Sequence, residues 1–220
     1  MSPKPYQFKV SNDAMFVENS YVVYRTDDAP CWIIDPGLPP QGDEIIDFIQ
    51  THRLKPQACI LTHAHGDHIA GVDQVRDALG PMPLYLAQVE WPMLSDPRKN
   101  LSAELGLDFT VSTDDLHDLP EGLELTLDGG TWKVLDTAGH SPGGRSLYCA
   151  AENVVIVGDA LFAGSVGRVD FDHSDGELLI NNIRQKLMTL PDQTVAMSGH
   201  GHDTTIGHER ATNPFILNGL

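Results

Sequence analysis

Apolar positions along this chain change their period several times, and each change marks an element. Tyr21-Val22-Val23-Tyr24 and Cys31-Trp32-Ile33-Ile34 are short β-branched and aromatic runs, bounded by Asp27-Asp28-Ala29-Pro30 and Asp35-Pro36-Gly37. Such runs between turn residues predict an antiparallel opening. From Gly42 the spacing becomes helical: Ile45, Ile46, Phe48 and Ile49 share one face, and Pro56 closes the segment. A strand follows at Ala58 to Leu61. A second helical pattern then uses Ile69, Val72, Val75 and Leu79, stops at Gly80-Pro81, and gives way to a strand at Pro83 to Ala87. Trp91 to Pro120 has no clear period and many carboxylates, which predicts a surface excursion with one short helix. That excursion is a candidate lid, a pocket wall or a subunit contact in a homo-oligomer.

Period-two patterning returns at Leu123 to Leu127, Thr131 to Leu135, Ser146 to Ala150 and Val154 to Val157, with turns at Asp128-Gly129-Gly130 and Glu152-Asn153. Ser174-x-x-Glu177 reads as a capping box opening a helix that buries Leu179, Ile183 and Leu187, and Thr194 to Met197 reads as a last strand. Two β-rich blocks, each followed by helices, predict two sheets packed face to face with helices outside. The expected architecture is a four-layer αββα sandwich, formed as a single domain over residues 1–220.

Composition narrows the function classes. With 41% hydrophobic and 20% charged residues the chain can bury enough apolar surface to fold throughout. Its formal net charge of −17 repels phosphate backbones and anionic membrane surfaces, so neither nucleic acid nor membrane is an expected partner. Cys31, Cys59 and Cys149 are odd in number and far apart, which suits buried reduced thiols rather than a disulfide framework. Met1 to Val10 shows no apolar leader pattern, and no run approaches 18 apolar residues; a cytoplasmic protein is the expectation.

Chemistry concentrates in His63-Ala64-His65-Gly66-Asp67-His68, four ligand-type residues within six positions between a short strand and a helix. Imidazole mixed with carboxylate suits zinc, iron or manganese better than calcium or magnesium. Close neighbours point different ways, so one ion cannot take all four donors, which hints at two ions. Further donors stand beside glycines after apolar runs: His140 in Gly139-His140-Ser141-Pro142-Gly143, Asp159 in Gly158-Asp159, and His200 in Gly199-His200-Gly201. Two divalent cations balanced by two carboxylates and a hydroxide leave a slightly positive site. Such a site attracts carbonyl or phosphoryl oxygen and generates hydroxide near neutral pH without a serine or cysteine nucleophile.

On Asp35-Pro36-Gly37, the His63 to His68 motif, Ala138 to Gly143, Gly158 to Phe162, Gly164 to Asp170, and Gly199-His200-Gly201 through Phe215, the sequence resembles the metallo-β-lactamase superfamily. The last piece is similar to its glyoxalase II-like (hydroxyacylglutathione hydrolase-like) branch. That resemblance implies that His63, His65 and His140 hold one metal, that Asp67, His68 and His200 hold the other, and that Asp159 bridges them with Asp35 in support. It implies two divalent ions, zinc first with iron or manganese as alternatives. It also implies a metal-bound hydroxide, served by Asp67 and Asp159, that hydrolyses a small acyl-thiol or ester substrate. Arg168 stands where that branch has an anion-gripping lysine, whereas Asp170 stands where it has a tyrosine. A mononuclear iron persulfide dioxygenase is the nearest alternative. An RNA-processing nuclease and a non-catalytic metal scaffold are weaker ones, the first lacking a basic surface.

Overall fold

A computed structural model describes residues 4–219. The chain is mixed α/β and divides into two compact units, residues 1–118 with 126–130 and residues 119–125 with 131–220.

The first unit is built on β1 (Gln7–Asn12), β2 (Asn19–Tyr24), β3 (Pro30–Ile34), α1 (Gln41–Thr51), β4 (Lys55–Ile60), α2 (Gly66–Ile69), α3 (Val72–Leu79), β5 (Leu84–Leu86) and β6 (Leu116–Asp118). Its six strands lie in chain order, antiparallel from β1 to β3 and parallel from β3 to β6. One face presents Val22, Tyr24, Cys31, Ile33 and Cys59, which cluster with Ile45 and Ile49 of α1 and Val72 and Val75 of α3. Alternate residues Tyr21, Val23, Trp32, Ile34 and Ile60 on the opposite face are buried too. Burying each such side chain stabilises by roughly 1.5–3 kcal/mol. Asp43 and Glu44 occupy the first turn of α1, where the helix dipole favours anions.

Two expectations need correction here. The helical pattern read through Ile69 to Leu79 is two helices, because the chain breaks at Ala70-Gly71. A Cβ on Gly71 would lie 1.9 Å from the Pro36 carbonyl oxygen, so the break brings the chain against the Asp35-Pro36-Gly37 turn. The excursion after Trp91 also holds more order than its pattern suggested: two 3-10 turns (Gln88–Met93 and Ser102–Leu105) and β6. Asn100 and Ser102 within it are fully buried.

The second sheet, order β14-β13-β10-β9-β8-β7, comprises β7 (Glu124–Leu127), β8 (Gly130–Asp136), β9 (Arg145–Cys149), β10 (Val154–Gly158), β13 (Val195–Ser198) and β14 (Thr204–Thr205). β11 (Leu161–Phe162) and β12 (Ser165–Val166) form a separate hairpin. The helices are α4 (Gly176–Asn182), running on through a π turn at Ile183–Leu187, α5 (Ile206–Thr212) and α6 (Pro214–Asn218). Leu179, Ile183 and Leu187 pack with Val155, Val157 and Ala196, as the helical spacing predicted. The capping box does not form, however. Asp175 is the N-cap, accepting from Leu178 N at 2.9 Å, and Ser174 Oγ instead donates to the His140 carbonyl at 2.7 Å. Among the described residues, no helix is long and apolar enough to cross a membrane.

Candidate metal centre

In the first unit, β4 delivers the chain into a stretch without a strand partner, Thr62 to His65, before α2 begins at Gly66. Alternation along an extended backbone puts His63 and His65 on one side. Their rings meet edge to face, with His63 Nε2 3.1 Å from His65 Nδ1. His68, in α2, brings its ring centroid within 4.1 Å of that of His63. All three histidines are buried, and Asp67 in the same helix is half-buried. Asp35, His63 and His68 each offer a donor atom within 4.8 Å of the others.

Backbone amides on the other phase of the alternation are held by three separate acceptors. Thr62 N donates to Asp35 Oδ1 at 2.8 Å, Ala64 N to Glu90 Oε2 at 2.6 Å, and Gly66 N to the Asn100 carbonyl at 2.7 Å. Side-chain protons are relayed in the same way. Thr62 Oγ1 donates to Asp35 Oδ2 at 2.6 Å, so it accepts from His63 Nδ1 at 3.1 Å. That fixes the proton of His63 on Nδ1 and leaves Nε2 as a lone pair. Asp35 Oδ2 also faces His68 Nδ1 at 3.0 Å, and Glu18 Oε1 lies 3.5 Å from the same nitrogen. Burial pushes the Glu18 carboxyl well above the usual carboxylate range, with the neighbouring His68 opposing that shift. Gln41 Nε2 donates to Glu18 Oε2 at 2.6 Å and ties it to the Ser11 carbonyl at 3.0 Å.

Donors in the second unit come from three strand ends. Beyond β8, Gly139 adopts φ 136°, a conformation L side chains rarely adopt, and its missing Cβ would meet Leu179 N at 2.3 Å. This tight crossing presents His140, whose Nδ1 donates to the Arg168 carbonyl at 2.8 Å. A carbonyl can only accept, so a proton sits on Nδ1 and Nε2 is the nitrogen turned toward Asp159. β10 and β13 run parallel, with Gly158 paired to Ser198, so Asp159 and His200 emerge near each other at the same sheet end. Asp159 Oδ2 lies 3.5 Å from His140 Nε2 and 3.3 Å from His200 Nε2. Phe171 stands edge-on to the His140 ring and Phe162 to the His200 ring.

These spacings suit a metal. Two donors about 2.0–2.1 Å from one tetrahedral ion lie roughly 3.3 Å apart, and the His63–His65 and the Asp159–His140 and Asp159–His200 pairs fall at 3.1, 3.5 and 3.3 Å. The donor chemistry, imidazole lone pairs beside one carboxylate, fits zinc, iron or manganese. Arg168 is exposed, lies over the Phe171 ring, and grips Asp170 through two hydrogen bonds of 2.9 Å. The guanidinium holds the Asp170 carboxyl below its usual range and spends much of its charge there. Sequence reasoning missed Glu18, Gln41, Glu90 and Asn100. Nothing local marks them, since each reaches its partner from at least 23 positions away or through a main-chain carbonyl.

Residues 15–200 match the family model of the metallo-beta-lactamase superfamily. Among curated relatives, the chain is 40% identical over 203 residues to "Probable metallo-hydrolase YqgX" of Bacillus subtilis, spanning 92% of this chain and 93% of that one. It is 32% identical to "Hydroxyacylglutathione hydrolase GloC" of Haemophilus influenzae, spanning 91% and 93%. Among solved structures, it is similar to BLEG-1 B3 metallo-beta-lactamase with TM-score 0.87 and 40% identity, covering 96% of this chain and 99% of that one. It is also similar to TTHA1623 in a di-iron-bound form, with TM-score 0.82 and 35% identity, covering 94% and 99%.

Proposed function

Because the chain belongs to the metallo-beta-lactamase superfamily and has its fold, we propose that it is a metal-dependent hydrolase of thioesters or esters, working with two divalent ions. In this reading His63, His65 and His140 hold one ion and Asp67, His68 and His200 the other, with Asp159 shared between them. The observation that carries it is the position of the Asp159 carboxylate, one oxygen within 3.5 Å of both His140 and His200. A single carboxylate serving two imidazoles is what a shared ligand requires. Zinc is the first expectation; the di-iron form of the similar TTHA1623 supports iron as an alternative, and the donor chemistry keeps manganese as another.

When bound, such ions would lower the pKa of a coordinated water toward ~7 and would polarise an acyl oxygen. The chain's residues prepare for this. Thr62 and the Arg168 carbonyl engage Nδ1 of His63 and of His140, so that Nε2 is the nitrogen each ring would offer to an ion. Asp35 anchors Thr62 and His68 together, which limits rotation of both. Phe162 and Phe171 put apolar ring surface beside the His200 and His140 donors, suited to an acyl chain and to excluding bulk water. The GloC relative supports a hydroxyacyl thioester as the first substrate to try.

Elemental analysis of the purified protein, paired with assays on S-lactoylglutathione, simple thioesters, a β-lactam and a persulfide, tests the reading. Two ions per chain with thioester turnover is the expected result. One iron per chain with oxygen consumption on persulfide would overturn it, and so would β-lactam hydrolysis without any thioester turnover.

A further inference from the structure

The excursion after β5 sits against the ligand loop of its own unit. We infer that Glu90 and Asn100 are positioning residues that set the His63–His65 donor pair before any ion arrives, an inference that rests on the metal reading above. An extended segment normally satisfies its amides from a neighbouring strand. The strand pairing of β4 ends at Ile60, and beyond it single acceptors take alternate amides: Asp35 at Thr62, Glu90 at Ala64 and the Asn100 carbonyl at Gly66. Ala64 is the residue between the two ligand histidines, so its amide governs the tilt of both.

Glu90 is fully buried, in the 3-10 turn Gln88–Met93, and its Oε2 meets Ala64 N at 2.6 Å, a short charge-assisted distance. Burying a carboxylate is costly unless it is paired and hydrogen-bonded, and its position behind two cation ligands supplies a reason to retain it. Asn100 is held just as firmly. Its Nδ2 donates to the Met93 and Phe109 carbonyls at 3.0 and 3.1 Å, and its Oδ1 accepts from Ser102 N at 3.0 Å. The side chain therefore immobilises the very carbonyl that receives Gly66. The excursion is thus a clamp on the ligand loop.

The test uses the full chain with Glu90→Gln, which keeps an acceptor and removes the charge, and Glu90→Ala, which removes both. Zinc affinity is read by competition with a chromogenic chelator, and amide hydrogen exchange at Ala64 and Gly66 is read on metal-free protein. Thermal melting of the metal-free forms controls for folding. Zinc affinity is expected to fall by ~10–100-fold in Glu90→Ala, as for other residues that orient ligands, and by less in Glu90→Gln. Exchange at Ala64 should quicken in Glu90→Ala while strands distant from the loop keep their protection. Unchanged zinc affinity with unchanged Ala64 exchange would overturn the inference. So would equal quickening of exchange across the whole sheet, which marks general destabilisation. A wild-type chain that binds no zinc, iron or manganese would instead overturn the metal reading, and exchange at Ala64 would still decide whether Glu90 holds the loop.

Discussion

The two units deliver their donors in opposite ways. In the first, one unbroken segment supplies His63, His65, Asp67 and His68, and the fold's task is to hold that segment rigid through acceptors at Asp35, Glu90 and Asn100. In the second, three separate turns supply one donor each, and the task is to let β8, β10 and β13 finish at the same end of one sheet, with β9 running the other way between β8 and β10. The first strategy rests on hydrogen bonds to a loop; the second rests on close packing at glycines and on sheet register. Their weak points should differ accordingly.

The comparison is broken most severely at the shared carboxylate. Asp159→Ala removes the partner of both His140 and His200, so metal retention and hydrolysis should both fall by more than the ~10–100-fold that loss of an outer hydrogen bond costs. Elemental analysis and a thioester assay check this, and a variant that keeps two ions and normal turnover would defeat it. Next in size is Gly139→Ala. With φ at 136° and the Leu179 backbone 2.3 Å from the new Cβ, a shift of strand end or helix is unavoidable, at about 1–3 kcal/mol. Gly66→Ala in the first unit meets Ser102 Cβ at 2.8 Å and its Cα at 3.2 Å, so it should cost less, and calorimetry of the two variants side by side ranks the strategies.

Asp35→Asn sharpens the contrast at the first unit. Asparagine tolerates the left-handed φ of 47° at this position and can still accept from Thr62, yet it no longer draws the protons of both Thr62 and His68 as a carboxylate does. Melting behaviour should stay near wild type while zinc affinity drops by ~10-fold or more. Glu209→Ala probes the second unit's equivalent support. This fully buried residue accepts from Gly164 N at 3.0 Å, Thr204 Oγ1 at 2.5 Å and Asn213 Nδ2 at 2.8 Å. Stranding those donors should cost roughly 1–3 kcal/mol, read as a lowered melting temperature.

The smallest effect concerns Cys31, whose thiol burial pushes up to about 12. Folded protein keeps that proton after an unfolded chain has lost it near 9. The stabilisation is therefore complete below about pH 9 and drains away as pH climbs toward 12. Thiol reagents at pH 8 should leave Cys31 unmodified in native protein and label it in denaturant; rapid native labelling would contradict this.

How far the sequence could be read follows the same division. The loop from His63 to His68 stood out because four residues of metal-ligand type crowd into six positions, and Leu179, Ile183 and Leu187 were legible because burial imposes a helical period. The strand pattern around β8 and β10 was equally plain. The supports were not. Glu90 acts on a residue 26 positions earlier, with no spacing rule to announce it. Ser174 spelled a cap, but its hydroxyl is taken by the His140 carbonyl, and the neighbouring Asp175 wins the helix. Trp91 to Pro120 looked detached because its buried apolar members, Met93, Leu94, Val111 and Leu119, follow no regular period and are interspersed with buried polar ones, Asn100 and Ser102; polarity at those two reflects internal hydrogen bonding rather than exposure.

One consequence of the anchoring from Thr62 to Gly66 concerns spelling. Because the tethered amides fall on 62, 64 and 66 while the candidate donor rings fall on 63 and 65, inserting or deleting a single residue would turn the imidazoles to the opposite face of the chain and the amides away from their acceptors. The one-residue gap in His-x-His is thus dictated by the pleat of the main chain as much as by any ion. A length variant of this loop should fail even when every histidine is retained.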